Sequence, residues 1–512
     1  MNIVELLAVQ ARAVPGRAAL IDRTGRRPCR LTFAELERAT AHAAAAFRAA
    51  GLRAGDRVAV IHPMSAGLYV GLAGLLRAGC VAVVCDAGAR RADLERCCAI
   101  VEPRAVFGSA AGLCYAWSVP QLARVRHRFA SGVFPGAVDI RAGCETQPIA
   151  ARASGDAAIM SFTSGSTGVP KIVVRSHGLL RAQFAATREV APADGIDLAT
   201  MPLVLLANLA AGVTSVIPGV DLRRPGRADA ERLADDIAAT KATSITASPA
   251  LLERLLHIDA AERLRTLTTI VSGGAPVMPA LVQSLRGRFA WATVVAVYGS
   301  TEAEPIAAVR SGEVDPADIA AMRSGSGLLA GIPVRAAAVR IVRAPADASG
   351  LAQPVEANDV GEIVVAGAHV VPGYLAGRGD AETKLRAGDT VWHRTGDLGY
   401  VDERGRIWLV GRAGSAGANL CGAAHEPLRV ESALSFEPGI ARAALARVGA
   451  RRVLALEPRP RAPIDPARVR AAVPWAAIDD VRIVRIPVDR RHNAKVDAPA
   501  LARRLRAHAR RG

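Results

Sequence analysis

Residues 161–171 read SFTSGSTGVPK and follow an apolar run, residues 157–162, that predicts a strand. Gly165 and Gly168 let the backbone approach a ligand closely, because glycine has no Cβ atom. The hydroxyl groups in this stretch can donate to phosphate oxygens, and Lys171 adds a cation. The stretch therefore predicts a polyphosphate-binding loop at the end of a strand.

Two other interpretations of this loop are weaker. The P-loop of nucleoside triphosphatases needs Gly-Lys-Ser/Thr, whereas Lys171 lies between Pro170 and Ile172. A flexible Ser/Gly linker would explain the composition. A predicted strand precedes the stretch and Pro170-Lys171 end it, and both features disfavour a flexible linker.

The segments on both sides of the loop alternate between helical and strand-like patterns. Residues 33–50 and 67–78 predict helices, whereas residues 57–61 and 81–85 predict strands. The alternation recurs over residues 157–297. It predicts an α/β fold with partly parallel sheets, in which ligands bind at loops that follow strand ends.

The C-terminal third of the sequence differs in its predicted secondary structure and composition. Strands separated by turns follow Gly325, and residues 413–424 are rich in Gly and Ala, which is typical of a hinge or mobile loop. We therefore predict a large N-terminal domain, residues 1–411, with αβ-layered sheets and a β-rich subdomain at about 325–411. A small mobile α+β domain, residues 412–512, follows.

Composition sets the class of protein. A chain of 512 residues with 51% hydrophobic residues is long enough for two or more domains with buried cores. The net charge of +18 raises the possibility of nucleic-acid binding, but the basic residues are spread along the chain and no aromatic-rich basic motif accompanies them. We expect no nucleic-acid partner.

Neither the N-terminus nor the longest apolar segment has the pattern of a targeting signal or a membrane span. The first sixteen residues predict an amphipathic helix and lack the pattern of a secretion signal. Residues 201–220 are interrupted by Pro and Gly, which suits a buried helix and strand better than a membrane span. We expect a cytoplasmic protein without stable membrane insertion, and its scattered cysteines predict neither a disulfide framework nor a metal site.

Two further clusters lie at predicted strand ends. Residues 298–302 read YGSTE, and residues 272–276, SGGAP, close the preceding strand; together they offer an aromatic face, hydroxyls and a carboxylate. Residues 392–397 read WHRTGD and end in a carboxylate suited to ribose hydroxyls. Alone, the last cluster would be an ordinary Thr-Gly-Asp turn.

The three clusters, in this order, resemble the adenylate-forming superfamily of acyl-CoA synthetases, luciferases and peptide-synthetase adenylation domains. The resemblance extends from residues 31–36, LTFAEL, to residues 491–497, RHNAKVD. It implies ATP and Mg²⁺ as cofactors, a small-molecule carboxylic acid as substrate, and an acyl-AMP product formed with release of pyrophosphate. Enzymes that supply the acid or consume the product are possible partners.

The resemblance also implies a role for each matching residue. The triphosphate would be held by the loop residues Thr163, Ser164, Gly165, Ser166, Thr167, Gly168 and Lys171. The adenine would be bound by Gly274, Ala275, Pro276 and Tyr298, and the ribose by Asp397. Thr301 would contact the α-phosphate, and Glu302 would bind Mg²⁺. Arg412 would stabilise the nucleotide at the hinge, and Lys495 would be the catalytic residue that bridges the acid and the α-phosphate.

A narrower resemblance is to the β-lactone synthetases of long-chain olefin biosynthesis, which adenylate a 2-alkyl-3-hydroxy acid and let its own hydroxyl displace AMP. The matches include residues 212–218, 248–252 and 298–306. Between Arg412 and Glu431, the cationic residues typical of thioester-forming relatives are replaced by small residues, so CoA is a less favoured acceptor. A fatty acyl-CoA ligase and a degenerate nucleotide-binding homologue remain alternatives.

Overall fold

The computed structural model describes residues 1–85, 91–143, 146–163, 171–259, 262–343, 351, 355–413, 427–489 and 495–509. The strands begin with β1 (Ala18–Asp22), β2 (Cys29–Thr32), β3 (Arg57–Ile61), β4 (Val81–Val84), β5 (Ala105–Gly108), β6 (His127–Ala130), β7 (Val138–Asp139), β8 (Ala157–Thr163), β9 (Lys171–Ser176), β10 (Ile196–Ala199), β11 (Thr214–Ile217) and β12 (Ser244–Ala247). They continue with β13 (Thr269–Ser272), β14 (Thr293–Ser300), β15 (Ala303–Arg310), β16 (Leu328–Pro333), β17 (Ala338–Val342), β18 (Gly361–Ala366), β19 (Lys384–Ala387), β20 (Thr390–Val401), β21 (Ile407–Arg412), β22 (Ile440–Val448), β23 (Arg451–Pro458) and β24 (Asp480–Ile483).

The helices are α1 (Glu5–Ala13), α2 (Phe33–Ala49), α3 (Ala66–Arg77), α4 (Arg91–Val101), α5 (Ala110–Trp117), α6 (Pro120–Ala123), α7 (His177–Thr187), α8 (Pro202–Ala211), α9 (Ala230–Thr240), α10 (Pro249–Leu255), α11 (Pro279–Arg288), α12 (Pro316–Arg323), α13 (Asp380–Thr383), α14 (Pro427–Leu434), α15 (Pro466–Ala472) and α16 (Ala498–Ala509). Helix α2 begins with a capping box. The amide of Glu35 donates to the Thr32 hydroxyl (3.2 Å), and the amide of Thr32 donates to the Glu35 carboxylate (2.8 Å).

Two large sheets form the frame of the fold. Within the described residues, a seven-stranded sheet has the order β7-β6-β5-β3-β4-β8-β9, and β3 pairs in parallel with β4 and β5. A 14-stranded sheet has β10 to β14 as parallel neighbours near its centre and the antiparallel strands β15 to β21 towards one end. The predicted α/β fold with partly parallel sheets is confirmed.

The apolar alternation placed most elements correctly. Strand β3 has the predicted bounds, and residues 201–220 fold as helix α8 and strand β11. Ala207, Val216 and Ile217 in that segment are buried, as an internal position requires. None of the helices in the described part of the chain combines the length and hydropathy that crossing a membrane needs.

A separate three-stranded sheet, in the order β22-β23-β24, lies after residue 439. Helix α14 packs against it through a buried cluster that includes Val430, Leu434 and Leu454. Residues 414–426, which include most of the predicted hinge, lie outside the described residues. The division of the chain at residues 411 and 412 stays a prediction.

Candidate active site

The predicted polyphosphate loop joins two antiparallel strands. Thr163 ends β8 and pairs with Lys171, which begins β9. Ser164, Gly165, Ser166, Thr167 and Gly168 lie outside the described residues, as does the side chain of Thr163. The Lys171 Nζ lies 5.4 Å from the centre of the Tyr374 ring, a cation–π distance. The structure therefore gives the position of Lys171, the cation of the predicted loop, but does not describe the hydroxyl groups of the loop.

Tyr298, Asp397 and Arg412 form a hydrogen-bonded group. The Tyr298 hydroxyl donates to Asp397 Oδ2 (2.8 Å), and Arg412 Nη1 lies 3.2 Å from Asp397 Oδ1. Burial, and then the Asp397 charge, raise the pKa of Tyr298 well above its ordinary value, so its hydroxyl remains a donor. The structure thus brings together the predicted adenine, ribose and hinge residues.

The pairing of β20 with β21 explains this proximity. Asp397 on β20 is opposite Arg412 on β21 in the ladder, so their side chains share one region of the sheet. Arg412 Nη2 also donates to the Thr395 carbonyl (3.2 Å), and the Asp397 amide donates to the Thr395 hydroxyl (3.0 Å). Gly396, which lies between Thr395 and Asp397, has a φ of +69°, a value that a residue with a side chain rarely adopts.

Thr301 and Glu302 form the turn between β14 and β15. The Tyr374 hydroxyl donates to Glu302 Oε1 (2.7 Å), and the Val371 amide donates to the Glu302 carbonyl (2.7 Å). Burial opposes the charge on Glu302, but neighbouring His393 and the bond from Tyr374 outweigh it and keep its pKa below the ordinary value. Glu302 is therefore held as a carboxylate.

A buried lysine and histidine, which the sequence analysis did not select, lie behind Glu302. Lys384 donates through Nζ to the Val371 carbonyl and lies 3.2 Å from His393 Nδ1. Burial lowers the pKa of Lys384 to about 8, and burial followed by the Lys384 charge lowers the pKa of His393 to about 4. Lys384 therefore carries a positive charge at neutral pH beside Glu302.

Arg175 on β9 is a second residue that sequence reasoning missed. Its side chain is buried and donates from Nη1 to the Ser161 hydroxyl (2.7 Å) and from Nη2 to the Thr301 carbonyl (2.7 Å). Nε donates to Gln183 Oε1 (3.2 Å). Arg175 therefore links the strand before the polyphosphate loop to the turn that carries Glu302. A basic residue inside a strand gives no sequence signal for this role.

Lys495 lies next to Val496, which forms an antiparallel β-bridge with Val488. Its amide donates to Asp489 Oδ1 (2.9 Å), and its carbonyl accepts from the Asp489 amide (2.8 Å). Lys495 is exposed and is one of the residues that line a cavity. Partial burial and the charge of Arg412 nevertheless lower its pKa, while Asp397 and Glu302 act in the opposite direction. Lys495 thus lies within electrostatic range of the predicted ribose and metal ligands.

One cavity is lined by part of the predicted site, whereas Lys171, Thr301 and Glu302 are not among its lining residues. It has a volume of about 820 Å³, and its lining includes the predicted nucleotide residues Gly274, Ala275, Pro276, Tyr298, Asp397, Arg412 and Lys495. The size suits a nucleotide together with a second small molecule. Aromatic, acidic and cationic groups in one cavity could hold a base, a ribose and a phosphate.

The oxygens of Glu302 suit a divalent cation. In the residues that the structure covers, no three His, Cys, Asp or Glu side chains are grouped to hold a metal ion. A carboxylate has two oxygens, so Glu302 can accept from Tyr374 with one and ligate a cation with the other. This donor set fits Mg²⁺, which commonly combines one protein carboxylate with phosphate oxygens and water.

Known proteins resemble this chain along most of its length. The family model of the AMP-binding enzymes matches residues 7–375. The olefin beta-lactone synthetase of Stenotrophomonas maltophilia is 34% identical over 95% of this chain and 93% of its own. The 4-coumarate–CoA ligase 3 of Oryza sativa is 27% identical over 80% of this chain and 74% of its own.

Solved structures agree on the fold. The amide bond synthetase McbA from Marinactinospora thermotolerans has a TM-score of 0.81 at 23% identity and covers 99% of this chain and 100% of its own. ATP-bound MatB from Rhodopseudomonas palustris has a TM-score of 0.80 at 21% identity, with 99% of each chain covered. With the family match and the 34% identical relative, the chain belongs to the AMP-binding enzyme family and is an adenylate-forming ligase.

Proposed function

We propose that the protein uses ATP to activate a 2-alkyl-3-hydroxy fatty acid and that the acid's own hydroxyl then closes a β-lactone. The observation that carries the adenylation step is the single cavity shared by Tyr298, Asp397, Arg412 and Lys495. The observation that favours lactone formation is the identity of 34% to an olefin beta-lactone synthetase over nearly the whole chain.

In the first step, a carboxylate oxygen of the acid attacks the α-phosphorus of ATP, and pyrophosphate leaves. Tyr298, with Gly274 to Pro276, would position the adenine, and Asp397 would accept from the ribose hydroxyls. The ammonium of Lys495 would neutralise charge where the carboxylate meets the α-phosphate. Mg²⁺, when bound by Glu302, would supply charge neutralisation at the phosphates.

In the second step, the 3-hydroxyl oxygen attacks the acyl carbonyl carbon, the hydroxyl proton passes to solvent or a nearby base, and AMP leaves. An intramolecular nucleophile has a high effective molarity, up to ~10⁵ M or more when well oriented. The step therefore needs no external acceptor. The small residues after Arg412, which lie outside the described residues, favour this route over one that needs cations for CoA.

The division of labour along the chain is part of the proposal. Residues 1–411 would bind the nucleotide, and residues 412–512 would carry Lys495 as a small mobile domain. A lysine on a mobile domain suits a step from which water must be excluded. Limited proteolysis within residues 413–424, slowed by ATP and substrate, would support this division. Equal cleavage rates with and without ligands would contradict it.

The experiment that tests the function uses purified protein, ATP, Mg²⁺ and a 2-alkyl-3-hydroxy acid, with and without CoA. We expect AMP, pyrophosphate and a β-lactone without CoA. The matched control is the same acid without its 3-hydroxyl, which should give acyl-AMP and pyrophosphate but no lactone. If AMP is released only with CoA and a thioester accumulates, the protein is a fatty acyl-CoA ligase. The absence of pyrophosphate with every acid would refute adenylation.

A further inference from the structure

Tyr374 connects two charges that the proposed function assigns to the phosphates of ATP. Its hydroxyl donates to Glu302 Oε1 (2.7 Å), and the centre of its ring lies 5.4 Å from Lys171 Nζ. Glu302 is the predicted metal ligand, and Lys171 is the cation of the polyphosphate loop. A single buried side chain, 6% exposed, thus contacts both groups.

The main chain around Tyr374 reinforces this contact. Two residues of one segment hold Glu302, because the Val371 amide binds its carbonyl and the Tyr374 hydroxyl binds its carboxylate. Tyr374 also forms a β-bridge with Val173 on β9, the strand that begins with Lys171. The segment from Val371 to Tyr374 therefore fixes the turn of Glu302 against the strand of Lys171.

Lys384 supports the tyrosine from a third position. Its Nζ also lies 5.4 Å from the centre of the Tyr374 ring, and it donates to the Val371 carbonyl. The Tyr374 amide donates to Asp380 Oδ1 (2.8 Å), which fixes the backbone beside the ring. With ring, hydroxyl and backbone all held, the direction of the hydroxyl is set before any ligand binds.

We propose that Tyr374 is a positioning residue: its hydroxyl aims the Glu302 carboxylate at the divalent cation of ATP, and its ring places Lys171. The inference rests on the proposed function, because it takes the roles of Glu302 and Lys171 from it. It adds a residue that touches neither phosphate nor metal itself. The hydroxyl and the ring have separable effects, since different substitutions remove them.

The experiment measures ATP binding by calorimetry without acid substrate, once with EDTA and once with Mg²⁺, so that no turnover is needed. Tyr374→Phe keeps the ring and removes the hydroxyl. We expect its affinity for metal-free ATP to stay within about twofold of wild type, while the gain in affinity on adding Mg²⁺ falls about tenfold or more, as loss of one bond to a charged group predicts. Tyr374→Leu should also weaken binding of metal-free ATP.

Two controls separate the possible failures. Tyr400→Phe removes another part-buried hydroxyl bond, to the Ser326 carbonyl, and should change neither affinity. Glu302→Gln should lose the Mg²⁺ gain. If it does while Tyr374→Phe keeps the wild-type gain, the positioning role is wrong and the metal assignment stands. If both variants keep the gain, the metal role of Glu302 fails as well. Parallel loss of metal-free binding and melting temperature in Tyr374→Phe would make its role merely structural and overturn the proposal.

Discussion

Removal of the Lys495 ammonium is the sharpest test of the adenylation chemistry. Lys495 is held by backbone bonds to Asp489, through its amide and its carbonyl, so Lys495→Ala leaves these attachments in place. The variant should therefore fold as wild type does. What it loses is a partly desolvated cation on a residue that lines the cavity with Asp397 and Arg412.

The size of the effect follows from the position of the charge. A unit charge about 4 Å from the charge that develops at the α-phosphate contributes about 4 kcal/mol at an effective dielectric constant of about 20. At about 1.4 kcal/mol per tenfold, this corresponds to a loss of roughly 10³-fold in the rate of acyl-AMP formation. ATP affinity should change less than about threefold, because the proposed adenine, ribose and triphosphate contacts do not involve Lys495.

The assay is single-turnover pyrophosphate release at saturating acid, with the ATP dissociation constant measured in parallel. Arg506→Ala is the matched control, because it removes an exposed cation from the same C-terminal region. Pyrophosphate release near the wild-type rate would refute the role of Lys495. A loss of ATP affinity as large as the loss of rate would make it a binding residue, with no special part in the transition state.

Two further predictions concern binding and stability. Asp397→Asn should raise the ATP dissociation constant about tenfold or more in calorimetry, because bonds to a carboxylate contribute ~1 kcal/mol or more each; an unchanged constant would remove Asp397 from the ribose site. Burial raises the pKa of Glu431 to about 8, above its value in the unfolded chain. The folded state therefore binds the proton more tightly than the unfolded state does. Wild-type stability should fall as pH rises from about 5 to 8. Glu431→Gln should remove that part of the decline and raise the melting temperature at pH 8, whereas identical pH profiles would show that Glu431 ionises normally.

Local patterns sufficed for most of the fold. Residues 57–61 and 81–85 form short, largely apolar runs, so β3 could be predicted with its bounds and β4 to within one residue from sequence alone. The end of β14 was less predictable. The strand continues to Ser300 because its antiparallel partner β15 extends the ladder past Tyr298, and that pairing depends on residues later in the chain.

Site residues could be predicted from the sequence only where they belong to a recognisable motif. Tyr298 and Asp397 were found as members of separate clusters, whereas their direct bond depends on how two distant strands pack. Arg175 and Tyr374 were missed for the same reason. A basic residue in a strand and an aromatic residue after a glycine have ordinary structural explanations, and their partners, Thr301 and Glu302, lie far away in the sequence.

The hairpin of β20 and β21 connects nucleotide binding to the start of the predicted mobile domain. Asp397 uses one carboxylate oxygen for Tyr298 and the other for Arg412, and Arg412 is the last residue of β21. If the chain after Arg412 rotates as predicted, a displacement of Arg412 would take a charged partner away from the proposed ribose ligand. Conversely, a ribose that binds Asp397 would share this carboxylate with Arg412. If both proposals hold, this ion pair would make nucleotide affinity and the position of the C-terminal residues depend on each other, since coupling between two sites is reciprocal.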